Sequence, residues 1–112
     1  MSLVSLAQVR SAYVRFARRY YSGYDMPSVD EVDFEWIEHP TNLGLTIFLD
    51  RSVQTREVLI QLHPVMRGFP RLLWMILLHE MSHVANPKAD HGPWWKREAV
   101  RLGTLGAMRE FF

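Results

Sequence analysis

The chain of 112 residues contains no cysteine. This absence excludes a disulfide framework and any metal site that is built on thiolates. A bound metal ion would have to be held by histidine, aspartate or glutamate side chains. The sequence offers five histidines for such a role.

Long apolar runs are also absent. The longest, from Leu72 to Leu78, is far shorter than the ~20 residues of a membrane-spanning helix. The amino-terminal residues do not follow the basic, apolar and small-residue order of a secretory signal peptide. We therefore expect a cytoplasmic protein that does not associate with a membrane.

The chain also lacks a strong net charge. Its value of +1 gives no overall case for binding nucleic acid. Locally the charges segregate: residues 1–23 carry only basic charges and residues 24–38 only acidic ones. We interpret these segments as the solvated faces of a helix and a strand. With 48% apolar and 22% charged residues, the composition is typical of a globular protein, and the length predicts a single domain over residues 1–112.

The apolar periodicity predicts an amphipathic helix followed by three strands. The helix covers residues 5–21, and its apolar face consists of Leu6, Val9, Tyr13, Phe16 and Tyr20. The strands cover residues 32–36, 43–49 and 58–62. Because their connections are short, we expect antiparallel neighbours and no parallel crossover.

A second helix is predicted from Pro70, which suits a first helical position, to about Ala85. It ends there because Asn86 precedes a proline. A last helix is predicted from Trp94 to about Leu102. The expected fold is therefore α+β, with an N-terminal helix, a small three-stranded and mainly antiparallel sheet, a buried helix and a C-terminal helix.

The buried helix carries the motif H-E-x-x-H, which is formed by His79, Glu80 and His83. Histidines at this spacing lie one turn apart on the same helix face and can bind one Zn²⁺ ion. Glu80 lies beside them as the candidate general base. The motif therefore indicates a zinc metallopeptidase centre with one catalytic ion.

A hydrolytic zinc site needs three protein ligands and one open position. We favour His91 as the third ligand, because the helix break turns the chain back and His91 directly precedes the next helix. Glu98, inside that last helix, is the main alternative, and the other candidates are Asp90 and the distant His63 and His39. Asp90 is a candidate partner for the second ring nitrogen of a ligating histidine.

In such a mechanism Glu80 would take a proton from the attacking water and pass it to the leaving amine. A further donor would stabilise the developing oxyanion. The candidates for this donor are His63, Tyr13, Tyr20, Tyr21 and Tyr24. Trp94 is a candidate wall of the substrate cleft, whereas Trp95 fits the inner face of the last helix.

Two segments resemble the SprT-like metallopeptidases, the group that includes Spartan: residues 77–83, Leu-Leu-His-Glu-Met-Ser-His, and residues 91–96, His-Gly-Pro-Trp-Trp-Lys. The order of a helix, a small sheet and the metal helix is similar as well, so the resemblance covers nearly the whole chain. It implies a zincin-like minimal core with His79, His83 and His91 as zinc ligands and Glu80 as the catalytic acid and base. It also implies proteolysis of protein or peptide substrates and, through the Spartan branch, association with DNA.

Two other functions compete with this interpretation. The three histidines are near the H-x3-H-x5-H spacing of YbeY-like metal-dependent RNases, but the second interval is longer here and Glu80 favours a peptidase. A non-catalytic zinc-binding module would normally close its site with four protein ligands and would favour cysteine.

Overall fold

A computed structural model describes residues 2–48, 58–86, 97–98 and 100–102 of the chain. The fold is α+β, and its elements are α1 (Leu6–Tyr20), β1 (Val32–Trp36), β2 (Gly44–Phe48), β3 (Val58–Leu62) and α2 (Pro70–Ala85). Residues 97–98 and 100–102 are helical too, which agrees with the predicted last helix. Within these ranges, no helix combines the length and the apolar character that crossing a membrane requires.

Helix α1 begins at a capping box formed by Ser5 and Gln8. The side chain of Ser5 accepts a hydrogen bond from the backbone N–H of Gln8 at 3.2 Å. In return, the Gln8 side chain accepts one from the backbone N–H of Ser5 at 2.8 Å. Two helix-terminal donors are satisfied in this way. Four residues of the predicted apolar face are confirmed as buried, namely Val9, Tyr13, Phe16 and Tyr20, whereas Leu6 is half-buried and Ala12 is buried in addition.

The sheet is mixed, so the prediction of a mainly antiparallel sheet is wrong. β3 lies in the centre, parallel to β1 and antiparallel to β2. After β1 the chain passes to the far edge, runs back along β2 and returns as β3 between the two. β2 itself supplies the reversal that makes β1 and β3 parallel, and therefore no crossover helix is needed. A short connection limits the distance between the two strands that it joins, but it does not set the order of the strands in the sheet.

Both helices cover the same face of the sheet. On that face Ile60 of β3 lies between Phe34 of β1 and Thr46 of β2. Tyr13 of α1 contacts Phe34 edge to face, with ring centroids 5.7 Å apart. Glu80 of α2 is hydrogen-bonded to Thr46. The space between the helices and this face is filled by one apolar cluster.

β2 is an edge strand of the described sheet, and its orientation is unusual. Gly44 and Thr46 face α2, because they pair with Leu62 and Ile60 of the buried face. The apolar side chains of Leu45 and Ile47 therefore lie on the other face, away from the helices. All residues of β2 are half-buried. The strand thus presents its less apolar side to the helix that carries the motif.

The capping box gives a test of how α1 is stabilised. We expect Ser5→Ala to lower the free energy of unfolding by about 1 kcal/mol, because it leaves a helix-terminal N–H without its acceptor. Urea unfolding measures this loss. Ser11→Ala, at an exposed position within the same helix, is the matched control and should leave stability unchanged or slightly raised. Equal effects of the two substitutions would show that the cap does not stabilise the helix.

Candidate metal and catalytic site

His79 and His83 converge on the same side of α2. Their rings meet edge to face with centroids 4.9 Å apart, and their Nε2 atoms are separated by 3.2 Å. Two nitrogen ligands of a tetrahedral zinc ion, each bound at about 2.0–2.1 Å, lie about 3.3 Å from one another. The observed separation therefore fits two ligands of one zinc ion. It equally fits a hydrogen bond between the two rings when one Nε2 is protonated and the other is not.

Glu80 points from α2 toward the sheet and is only 4% exposed. Its two carboxylate oxygens have different surroundings. Oε1 accepts a hydrogen bond from the hydroxyl of Thr46 at 2.8 Å. Oε2 lies 4.0 Å from Nε2 of His79. One oxygen is thus held by the strand, while the other lies on the side of the histidine pair.

Burial changes the acidity of this carboxyl group. Desolvation raises the pKa of Glu80 from 4.5 to about 6, and the hydrogen bond from Thr46 opposes part of that rise. A general base works best when its pKa lies near the operating pH. The surroundings of Glu80 therefore suit proton transfer near neutral pH better than an exposed glutamate would.

Gly44 allows β2 to approach α2 at this point. A Cβ atom at residue 44 would lie 2.8 Å from Cγ2 of Ile76 and 2.9 Å from Oε2 of Glu80. Both distances are shorter than van der Waals contact, so a larger residue would displace the strand, the helix or the carboxylate. Glycine within a strand often marks such a close approach.

A cleft of about 460 Å³ opens beside these groups. α2 contributes Ile76, His79, Glu80 and His83 to its lining, and residues 41–46 together with Phe48 form the other wall. Among the described lining residues none is lysine or arginine. The cleft therefore combines two imidazoles and one carboxylate with a wall made of an edge strand.

The side of α2 that faces away from the cleft is tied to the end of α1. Tyr21 donates a hydrogen bond from its hydroxyl to the carbonyl of Leu78 at 2.9 Å, and this hydroxyl lies 2.7 Å from Oγ of Ser82. Burial raises the pKa of Tyr21 well above its ordinary range. Because Ser82 directly precedes His83, these bonds limit rotation of the helix turn that carries both histidines.

Glu98, the alternative third ligand, is buried in another group of contacts. Its Oε2 accepts from Nε of Arg101 at 2.5 Å, and its Oε1 accepts from the side-chain amide of Asn86 at 3.3 Å. Residues 2–48, 58–86, 97–98 and 100–102 contain no group of three or more histidine, aspartate or glutamate side chains that could hold a metal. Glu98 is thus not grouped with His79 and His83.

The favoured third ligand, His91, lies outside the described residues, as do Asp90 and Trp94. His63 begins the short 3-10 helix Pro64–Gly68, and its Nδ1 accepts from the backbone N–H of Val65 at 3.1 Å. It is not among the described residues that line the cleft. The same holds for the four candidate tyrosines: Tyr13, Tyr20, Tyr21 and Tyr24.

Two residues of β2 complete the surroundings of Glu80, and neither was identified from the sequence. A signal for Gly44 existed, since a strand glycine can mark a close approach. Thr46 carried no signal, because its alternation with Leu45 and Ile47 is typical of a solvent-facing position.

Comparisons of the chain with models of known families, with curated proteins and with solved structures gave no match.

The raised pKa of Glu80 predicts a pH-dependent gain in stability for Glu80→Gln. The folded-state pKa lies above the ordinary value of 4.5. Ionisation of Glu80 therefore takes no free energy from folding below pH 4.5, and it destabilises the folded state progressively as the pH rises to 6. Above pH 6 the cost is about 2 kcal/mol. In metal-free protein, urea unfolding of Glu80→Gln should therefore show a gain that is about 2 kcal/mol larger at pH 7.5 than at pH 4. Glu38→Gln, at an exposed position, is the control, and a pH-independent difference for Glu80→Gln would contradict the assignment.

The close approach at Gly44 predicts that Gly44→Ala displaces the carboxylate of Glu80. We expect the free energy of unfolding to fall by about 1–3 kcal/mol, as for other substitutions that overpack an interior. Gly68→Ala is the matched control, because its added Cβ would meet only Cδ2 of Leu3 at 3.9 Å, an ordinary contact. A crystal structure of Gly44→Ala with an unmoved Glu80, or stability equal to that of Gly68→Ala, would show that the approach is not tight.

Proposed function

We propose that the chain is a zinc-dependent metallopeptidase with a zincin-like minimal core. The observation that carries this proposal is the convergence of the His79 and His83 Nε2 atoms to 3.2 Å beside the buried carboxylate of Glu80. The resemblance to SprT-like metallopeptidases supports the same assignment and adds His91 as the third ligand. A cytoplasmic location is part of the proposal.

In this proposal His79, His83 and His91 would hold the ion. When bound, zinc supplies a Lewis acid that polarises the scissile carbonyl and makes a water molecule acidic near neutral pH. Glu80 accepts the proton of the attacking water at its Oε2 atom and later delivers it to the leaving amine. In the metal-free protein, burial raises the pKa of this carboxyl group to about 6, so it is mostly ionised at neutral pH.

The wall of the cleft supports an extended peptide as substrate. β2 is the edge of the described sheet, and an edge strand can pair through its backbone with an extended chain laid beside it. The described lining residues include no lysine or arginine, the side chains that most often neutralise nucleic-acid phosphates. Both features favour peptide cleavage over the alternative of RNA cleavage.

The resemblance to SprT-like metallopeptidases is the sole basis for proposing DNA-associated proteins as a substrate class. The basic residues of α1 offer one surface that nucleic acid could approach. Two of these arginines stack on aromatic rings of the same helix, with Arg15 over Phe16 at 5.1 Å and Arg19 over Tyr20 at 5.6 Å. Assays of peptide cleavage with and without added DNA test this extension.

The peptidase proposal predicts that Glu80→Gln keeps zinc but loses hydrolysis. We expect casein cleavage by the zinc-loaded variant to fall by about 10²–10⁴-fold, the usual contribution of a general base, while the zinc content of the protein stays the same. His83→Ala and His91→Ala should instead lose zinc affinity, measured by competition with a chromogenic chelator. Glu38→Gln, at an exposed position, is the matched control for Glu80→Gln. His63→Asn is the control for the histidine variants, because asparagine keeps a side-chain acceptor at the start of the 3-10 helix.

Several outcomes would contradict parts of this scheme. Wild-type cleavage by Glu80→Gln would exclude it as the base. Retained zinc affinity in His91→Ala would exclude His91 as the third ligand. Chelator-sensitive cleavage of structured RNA without any cleavage of casein would replace the peptidase by a metal-dependent RNase. A zinc complex with four protein ligands and no open position would indicate a non-catalytic module.

A further inference from the structure

We propose that Thr46 is a positioning residue for Glu80: its hydroxyl holds Oε1, so that Oε2 is the oxygen that accepts the proton during peptide hydrolysis. The proposal rests on the proposed peptidase function. It adds to that function a residue of the sheet that determines which oxygen of the carboxylate performs the proton transfer.

The hydroxyl of Thr46 is directed at one oxygen. Its Oγ1 atom lies 2.8 Å from Oε1 of Glu80 and 3.3 Å from the backbone carbonyl of the same residue. A hydroxyl has one proton to donate, and hydrogen bonds to an ionised acceptor are the shorter and stronger ones. The carboxylate oxygen is therefore the acceptor, and the bond restricts rotation of the Glu80 side chain.

Thr46 is well placed to impose that restriction. It lies in the middle of β2 and is opposite Ile60 in the antiparallel ladder with β3. Its backbone position is thus determined by the sheet and does not depend on a loop. A β-branched side chain has few χ1 rotamers, so the hydroxyl has little freedom to leave its position. The hydroxyl of Thr46 is therefore held more rigidly than a donor at the end of a longer side chain would be.

The space beside the other oxygen is kept open by the same strand. Gly44 and Thr46 are two residues apart and therefore lie on the same face of β2. A Cβ atom at residue 44 would lie 2.9 Å from Oε2, in the space that a proton donor needs. Oε2 is also the oxygen on the histidine side, 4.0 Å from Nε2 of His79. β2 thus binds Oε1, and the missing side chain at Gly44 leaves room beside Oε2.

Two substitutions of Thr46 distinguish the effect of its hydroxyl from the effect of its side-chain shape. Thr46→Val keeps the β-branched shape but cannot donate, whereas Thr46→Ser keeps the hydroxyl. With zinc-loaded protein and a casein-derived peptide, we expect kcat of Thr46→Val to fall by about 10–100-fold, since a misplacement of about 1 Å can cost about 10²-fold in rate. Thr46→Ser should stay within about threefold of the wild type. KM and zinc affinity should be unchanged in both variants.

A measurement on the metal-free protein tests the same contact without activity. In a double-mutant cycle, Thr46→Val should lower Tm by about 5 °C in the wild-type background, because a buried carboxylate loses its donor. In the Glu80→Leu background the same substitution should leave Tm unchanged or raise it, because no carboxylate remains to be satisfied. Non-additivity of this kind reports a direct interaction between the two side chains.

The outcomes separate this inference from the function on which it rests. A wild-type kcat in Thr46→Val, a loss in Thr46→Ser as large as in Thr46→Val, loss of zinc from either variant, or additive Tm shifts would overturn the positioning role. If zinc-loaded wild-type protein cleaves no peptide, the proposed function fails. The double-mutant cycle then still decides whether Thr46 holds the carboxylate.

Discussion

One buried carboxylate at the contact between α2 and β2 constrains the rest of the structure. Removing Glu80 from water opposes its ionisation, and the pKa of its carboxyl group is raised to about 6. The hydroxyl of Thr46 offsets part of this rise. For the hydroxyl to reach the carboxylate, the strand must approach the helix closely, which requires the missing side chain at Gly44. The same contact brings the carboxylate beside the histidine pair.

The contact also explains the unusual orientation of β2. A strand that covers an apolar core normally turns its apolar side inward. Here Leu45 and Ile47 face away from the helices, since a glycine and a threonine are needed opposite Glu80. Because β3 occupies the centre of the sheet, β2 is left at an edge. In that position β2 forms one wall of the cleft, and no other described strand pairs with its outer side.

The helix that carries the motif is held from more than one side. Toward the cleft it is fixed by Thr46. On the opposite side, Tyr21 is bonded to Leu78 and lies against Ser82, so the turn between the histidines cannot rotate freely. At its end, Asn86 donates to Glu98, a buried residue that forms an ion pair with the half-buried Arg101. For the proposed peptidase, a preorganised position is what a general base and two imidazoles would need to act together.

Local sequence signals were sufficient for the helices, the strands and the histidine pair, because periodicity and motif spacing are properties of one segment. They determined the helix that begins at Pro70, the strand from Val58 to Leu62, and the placement of His79 and His83 on one helix face. The order of the strands, the inward side of β2 and the contact between Thr46 and Glu80 were decided by tertiary structure. Each depends on which segments pack together, and a short connection or an alternating pattern is compatible with more than one such arrangement.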